Sequence, residues 1–356
     1  MKKKELLIYT VILMLVISAC SRQMHTDKDR QEEKTAGQTL TPLRVAVQPY
    51  YISSAVGYMM EMGLDKEFGL ELIPVEYPSG AEQIVDIEKD QYDVATVGAA
   101  FLYPLVENKG VVIGEHICST GGDAIYVRNG SSILDVKGFN PTYPEVCGDL
   151  ETVRGSKILM NVNTTQQYLG MKWLESIGVK KSSVKLAYGT FEDNYDRFLK
   201  GEGDIAVLSA PYSYRAEKEG FQKAADTRSL HTEIYEVILA TKEAHKEKRD
   251  ELVRFMECLL YANEMLEADQ EKKIEACGNW YKSQGQKVSR ENLEAECKDK
   301  LLVTRENYEV GQFGDFEMKY AEYMAAIGNI PPIGLPNVEA NVDRELFQEA
   351  FAGGEN

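Results

Sequence analysis

The sequence of 356 residues has only four histidines and two tryptophans, and none of its six cysteines forms a Cys-x-x-Cys pair. Without clustered histidines or paired cysteines, a zinc site of ordinary ligand spacing is not expected. There is no Gly-x-Ser-x-Gly elbow and no phosphate-binding glycine loop. His25, His116, His231 and His245 stand apart from any nucleophile or metal-ligand spacing. No catalytic constellation or cofactor motif is therefore present, and the chain is expected to bind rather than to catalyse. Positive charge is scarce as well: 40 Lys and Arg against 57 Asp and Glu leave a net charge of −17. Nucleic acid is not an expected partner, because phosphate binding relies on basic patches. No apolar run reaches the roughly 20 residues that a membrane-spanning helix needs.

What is present begins at the amino terminus. Lys2, Lys3 and Lys4 precede an apolar run from Leu6 to Ile17, and the small residues Ser18 and Ala19 lead to Cys20. A charged start, a short apolar core and small residues before a cut site are the anatomy of a secretory signal. Val16-Ile17-Ser18-Ala19-Cys20 resembles a bacterial lipobox, which implies that Cys20 carries a lipid anchor to the membrane and becomes the first mature residue. Cleavage removes Lys2, Lys3, Lys4 and Glu5 with the leader, so the mature charge is about −19. Residues 21–41 are polar and cannot bury enough surface to offset their ordering entropy, so a disordered tether is expected. Its reach would be about 25 Å. Of the other cysteines, Cys118, Cys147, Cys258, Cys277 and Cys297, an odd number, at least one must be free or pair between chains. Cys277 with Cys297 is the bridge to test first, although small buried thiols are the better expectation.

From Pro42 onward the chain exceeds 300 residues, more than one core usually serves, and two lobes are expected. Leu43–Val47 reads as a strand and the segment from Ser53 to Gly63 as an amphipathic helix. A second strand, Leu70–Val75, a helix carrying Ile84, Val85 and Ile87, and a third strand, Tyr92–Val97, follow. This alternation is the pattern of a parallel sheet with helices on both faces. It recurs in strands at Lys157–Met160, Val184–Tyr188 and Asp204–Leu208, with helices at Gln167–Ser176 and Asp193–Lys200. Laying residues 87–103 on 198–214 matches Lys89 with Lys200, Asp93 with Asp204, Ala95 with Ala206, Ala99 with Ala210 and Tyr103 with Tyr214. Residues 129–154 are turn-rich and read as a surface insertion. Ile234–Ala240 reads as a return strand, and helices with an apolar stripe at Leu252, Phe255, Met256, Leu259 and Leu260 complete the chain. A chain that crosses between lobes twice makes a hinge and a cleft. The expected organisation is a leader over 1–19, lipidated Cys20 and tether over 20–41, a first lobe over 42–122, a second over 123–232, and a return strand with C-terminal helices over 233–356.

At these residues the chain resembles the solute-binding proteins of bacterial ABC importers, in the nitrate, sulfonate, taurine and thiamine-pyrimidine group. The likeness rests on Gln48-Pro49-Tyr50 after the first strand, Gly57 and Gly63 in its helix, Tyr92-Asp93-Val94-Ala95-Thr96-Val97-Gly98, Gly203-Asp204-Ile205-Ala206, Ala210-Pro211-Tyr212, Ile327-Gly328-Asn329-Ile330 and Val342-Asp343. It implies a type II periplasmic-binding-protein fold, two doubly wound α/β lobes joined by a two-strand hinge. It also implies a small-molecule ligand, and an ABC permease with its ATPase as partners.

Open α/β sheets bind ligands beyond the carboxyl ends of their strands. That selects Gln48, Pro49, Tyr50 and Tyr51, then Ser79 and Gly80, then Gly98 and Ala99. In the second lobe it selects Asn161, Asn163, Thr164 and Thr165, then Ser209 and Tyr212, with Asp123 at the first crossing. Ser79-Gly80 and Thr164-Thr165 precede helices, where free N–H groups and the positive dipole end favour an anion. Plain N-capping is the competing role for both. Arginine is scarce at the strand ends, so amides and hydroxyls are expected to meet the charge. The tyrosines suit a flat heterocycle as an alternative ligand, and Asp123 suits an amine on a zwitterion. A surface sensor sharing the fold is the reading from another class.

Overall fold

Leu43, Val45, Ala46 and Val47 are all fully buried, so the first strand is covered on both faces, as a central parallel strand requires. The computed structural model describes residues 39–353; the leader, Cys20 and nearly all of the tether lie outside the described residues. The first sheet contains β1 (Thr41–Val47), β2 (Leu70–Glu76), β3 (Val94–Val97) and β4 (Gly110–Ser119), and it takes β10 (Ile234–Thr241) and β11 (Lys300–Leu302) from after the second lobe. Its order is β11-β4-β10-β3-β1-β2. The second sheet contains β5 (Asp123–Val127), β6 (Lys157–Met160), β7 (Lys185–Tyr188), β8 (Ile205–Ser209) and β9 (Gln222–Asp226), in the order β7-β6-β8-β5-β9. Each sheet has three parallel strands, β2-β1-β3 and β7-β6-β8, extended by an antiparallel strand that belongs to a crossing. The architecture is therefore two α/β lobes.

The repeat visible in the sequence has a structural counterpart. The Asp93 carboxylate accepts from the Arg44 backbone N–H (2.8 Å) and the Asp204 carboxylate accepts from the Lys157 backbone N–H (2.7 Å). Arg44 and Lys157 lie in the first strand of each triplet, β1 and β6. In both lobes the aspartate ties the start of the third strand to that first strand. Ala95 pairs with Ala46 and Ala206 with Leu159, again at equivalent places.

Helix α1 (Ser54–Met62) ends at Gly63, whose φ of 73° is the left-handed cap conformation that glycine adopts without strain. The remaining helices used below are α2 (Gly80–Val85), α3 (Thr165–Ser176), α4 (Phe191–Leu199), α5 (Tyr212–Lys218), α6 (Arg249–Glu267), α7 (Gln270–Ser283), α8 (Arg290–Asp299), α9 (Asp315–Ala326) and α10 (Arg344–Ala352). The stripe of α6 is buried as its spacing predicts: Leu252, Phe255, Met256, Leu259 and Leu260 are inaccessible to solvent. Each such side chain stabilises by about 1.5–3 kcal/mol. Residues 129–154 hold a short 3-10 turn at Ser132–Asp135, a bridge between Lys137 and Cys147, and one helical turn at Leu150–Val153.

Several details depart from the sequence reading: α2 ends at Val85, short of Ile87, and α4 begins at Phe191 rather than Asp193. The third strand begins at Val94 rather than at Tyr92. Strands β4, β5, β9 and β11 are additional to those read from the pattern. The two crossings run β4 to β5 and β9 to β10. The five described cysteines are all unbridged; Cys277 and Cys297 are buried side by side, and burial followed by the adjacent Cys297 raises the Cys277 thiol. Among the described residues no helix is long and apolar enough to cross a membrane, and no three His, Cys, Asp or Glu side chains converge to hold a metal ion.

Candidate functional site

The loop after β1 is held from behind by α7. The Trp280 indole N–H donates to the Gln48 carbonyl (3.1 Å), the Tyr281 hydroxyl accepts from the Tyr51 N–H (3.3 Å), and the Gln286 amide donates to the Pro49 carbonyl. Trp280 reaches this position because Gly57 has no side chain: a Cβ there would lie 2.4 Å from the indole ring. Gln48 itself is turned inward, its amide donating to Gln83 Oε1 (3.1 Å) and to the Thr96 carbonyl (2.8 Å).

Across the interface, α3 starts at Thr165. Its cap residue Thr164 is extended, yet its hydroxyl donates to the Asn161 carbonyl (3.0 Å) and accepts no bond from the first-turn amides. Gly98 allows the lobes to meet here, since a Cβ on it would lie 3.0 Å from Thr165 Oγ1. Tyr50 and Phe191 close one edge with ring centroids 5.3 Å apart, edge to face. The cavity left between the lobes is about 50 Å³.

Nine of the residues selected from the strand ends surround this cavity: Gln48, Tyr50, Gly80, Gly98, Ala99, Asp123, Thr164, Thr165 and Ser209. The others are placed elsewhere. Pro49 presents its carbonyl to Gln286, and Tyr51 is buried in the core with its hydroxyl on the Lys300 carbonyl (3.3 Å). Ser79 caps α2, accepting from the Ala81 N–H (3.2 Å), so the plain capping role holds at that position. Asn161 is buried behind the loop, with its N–H on Gln166 Oε1 (2.8 Å). Asn163, at a positive φ of 58°, lines a separate crevice with Ile84 and Tyr103. Tyr212 packs against Tyr195, ring centroids 5.3 Å apart.

Ala210, next to Ser209, is a further wall, and strand-end reasoning did not select five others: Ile52, Ala100, Phe191, Glu236 and Lys300. The last two alter its chemistry. Besides the amides and hydroxyls expected there, the wall carries the Lys300 ammonium, which donates to Glu236 Oε1 at 2.7 Å. The Ser119 hydroxyl donates to the same oxygen at 3.0 Å. Burial disfavours the Lys300 charge, but Glu236, Asp123 and Glu296 together outweigh it and raise the ammonium pKa. Asp123, opposite Ser209 in the sheet and 2 % exposed, is raised by burial, while Lys300 and the Ser209 hydroxyl pull it down. A charged residue inside the apolar run Ile234–Ala240 was the available signal for Glu236. Lys300 had none, because it directly follows the charged end of α8, Lys298-Asp299.

A larger crevice, about 710 Å³, lies on the other side of β10: Tyr235 lines it while the adjacent Glu236 faces the small cavity. It receives His231 near the second crossing, together with Lys172, Lys319 and Tyr323. None of the fifteen selected residues lies on it, and the smaller cavity at the strand ends is the candidate site.

Comparison with known proteins agrees with this architecture. The model of the NMT1-like family matches residues 36–279. A putative ABC transporter periplasmic binding protein of Brachyspira hyodysenteriae is 29% identical over 341 residues, covering 96% of this chain and 98% of that protein. Among solved structures, the periplasmic aliphatic sulphonate binding protein SsuA of Escherichia coli aligns with TM-score 0.66 at 14% identity, covering 86% of this chain and 99% of that one. The periplasmic nitrate-binding protein NrtA of Synechocystis aligns with TM-score 0.72 at 11% identity, covering 89% of each chain. The alkanesulfonate-binding protein SsuA of Xanthomonas axonopodis, solved with MOPS bound, aligns with TM-score 0.67 at 15% identity, covering 85% of this chain and 98% of that one. With two α/β lobes closing on a cavity at their strand ends and a family model spanning most of its length, the chain belongs to the NMT1-like family and has the fold of the nitrate- and sulfonate-type solute-binding proteins.

Proposed function

We propose that this protein is the extracytoplasmic solute-binding component of an ABC importer, anchored to the membrane through a lipid on Cys20. In this reading its lobes close over a small solute that bears an acid group and deliver it to a permease and its ATPase. The observation that carries the reading is the start of α3. Thr164 leaves the first-turn amides uncapped, and it and Thr165 line the cavity between the lobes. Uncapped helix amides and the Thr165 hydroxyl are a ready receptor for a small anion, the Thr164 proton being engaged by the Asn161 carbonyl. The names of the relatives support the role: one is described as a periplasmic binding protein of an ABC transporter, and others bind sulfonates or nitrate. A lipid tether suits delivery, because it raises the local concentration at the transporter. The heterocycle alternative gains little, since Tyr50 meets Phe191 edge to face rather than leaving a parallel slot.

The test is a thermal-shift screen of the mature protein against alkanesulfonates, taurine, nitrate and carboxylates, followed by titration of any hit. A ligand at 100 times its dissociation constant stabilises by about 2.7 kcal/mol, a readable shift. Thr164→Ala with Thr165→Ala is expected to weaken binding about tenfold or more while the unliganded fold is unchanged. Undiminished affinity in that variant rejects this placement of the acid group. For the anchor, Cys20→Ser is expected to abolish incorporation of labelled palmitate and to release the protein from the membrane fraction.

A further inference from the structure

The hinge side of the cavity carries more negative charge than its own cation balances. Asp123, Glu236 and Glu296 are 2 %, 5 % and 1 % exposed, and Lys300, 7 % exposed, is the ammonium they share. Lys300 occupies one oxygen of Glu236; the other, Oε2, is buried with no hydrogen-bond partner. Behind them His116 is fully buried, and burial pushes it down to about 4, so it supplies no second positive charge near neutrality. Glu296 lies outside the cavity wall, accepts from the Tyr281 hydroxyl (2.9 Å), and is pushed up to about 7 by burial, so it takes up part of the excess as a bound proton. Asp123 and Glu236 remain, both lining the cavity, with one lysine between them.

An isolated buried carboxylate is costly unless a cation or a donor meets it. A solute that brought only an anion would add to the surplus. The solute that completes the set brings a positive charge to Asp123 and Glu236 Oε2 and an acid group to Thr164, Thr165 and the start of α3. We propose that the ligand is a small zwitterion, its protonated amine held by Asp123 and Glu236 and its acid group held by the second lobe. A primary ammonium has three donors, and the Asp123 carboxylate, Glu236 Oε2 and the Ser209 hydroxyl are three acceptors for them. A cavity of about 50 Å³ restricts the solute to a small one, of amino-acid rather than peptide scale.

The proposal rests on the reading of the cavity as the solute site, and the experiment separates the two. The mature protein is titrated with matched pairs that differ only in the amine: taurine with ethanesulfonate, β-alanine with propionate, and glycine, alanine and γ-aminobutyrate with their amine-free counterparts. The expected result is that at least one amine-bearing member binds and its counterpart binds at least tenfold more weakly. Asp123→Asn should erase that difference, while Thr164→Ala with Thr165→Ala weakens both members. Equal binding within every pair that binds overturns the ammonium pole and leaves the importer reading standing. Binding confined to the amine-free members, or no binding by any amine-bearing member, overturns the pole as well. A hit that ignores the Thr164 and Thr165 substitutions rejects the underlying placement instead. A second measurement needs no ligand. Removing a surplus buried charge leaves the unliganded Asp123→Asn protein with an equal or higher melting temperature. A fall in melting temperature makes Asp123 a structural partner of Lys300 and overturns the proposal.

Discussion

Replacing Glu296 by glutamine gives a pH-dependent change in stability whose size and sign follow from its surroundings. Glu296 is in α8, and burial, reinforced by Glu236 and Asp123 and opposed by Lys300 and the Tyr281 hydroxyl, pushes its carboxyl from 4.5 up to about 7. The unfolded chain gives up this proton near pH 4.5, whereas the folded protein keeps it until about pH 7. Across that window the folded state binds more protons, so the stability contributed by this group falls as pH rises and levels off above about pH 7. At about 1.4 kcal/mol per pH unit, the interval amounts to about 3 kcal/mol. Glutamine cannot ionise, and its carbonyl can still accept from Tyr281. The assay is urea unfolding of the wild-type protein and Glu296→Gln from about pH 4.5 to about pH 8, comparing the difference between the two at each pH. His116, held down to about 4 by burial, changes stability in the opposite direction but does so in both proteins and cancels in the difference. The variant is expected to gain about 3 kcal/mol on wild type between the ends of the range. A difference that stays constant with pH refutes the reasoning.

Three further outcomes follow from the geometry. Asp93→Asn should destabilise by about 2 kcal/mol, because the buried carboxylate serves Arg44 and Lys248 as well as a backbone N–H, and Asp204→Asn by only about 1 kcal/mol, because that aspartate is exposed; equal effects in urea unfolding would contradict the comparison. The Asp93 contribution should also fade in acid, since its carboxyl is held below the ordinary range: burial raises it, but the hydrogen bonds from Arg44 and Lys248 prevail, and the stability present near neutrality is lost as pH falls through its pKa. Gly57→Ala should cost about 1–2 kcal/mol, overpacking against Trp280 outweighing the gain in helix propensity, with a shifted tryptophan emission as the local readout.

Much of the framework could be read before any coordinates. The strand Lys157–Met160 has the bounds its pattern predicts, and the match of Asp93 with Asp204 marks the same backbone tie in each lobe. These signals are local: strand alternation, turn residues and a short repeat arise from neighbours in the chain. What escaped the reading depends on distant partners. Nothing near Lys300 reveals that it will meet Glu236, 64 positions away in the chain, inside a cavity walled by the other lobe. Ser79 and Thr164 look alike as residues that precede helices. They part only in three dimensions, where Ser79 bonds its own helix and Thr164 bonds the preceding loop. Tyr51 follows Tyr50 directly, yet it turns into the core because the loop winds into a 3-10 turn there.

The interleaving of the strands bears on the order in which the two lobes fold. The second sheet is drawn entirely from residues between Asp123 and Asp226, so this lobe can finish as soon as that stretch is available. The first sheet cannot: β4 has β10 and β11 as its neighbours, and a further bridge joins Val112 to Val342. Closing such long loops is slow, and unpaired edges must wait for their partners. The lobe that begins first in the chain is thus predicted to be completed last. Pulse-labelled hydrogen exchange during refolding should show protection at Leu159 and Ala206 before Val112 and Leu239, and the reverse order would reject this sequence of events. A chain interrupted before residue 300 would present a finished second lobe beside an open half-sheet, with the lysine of the cavity not yet delivered.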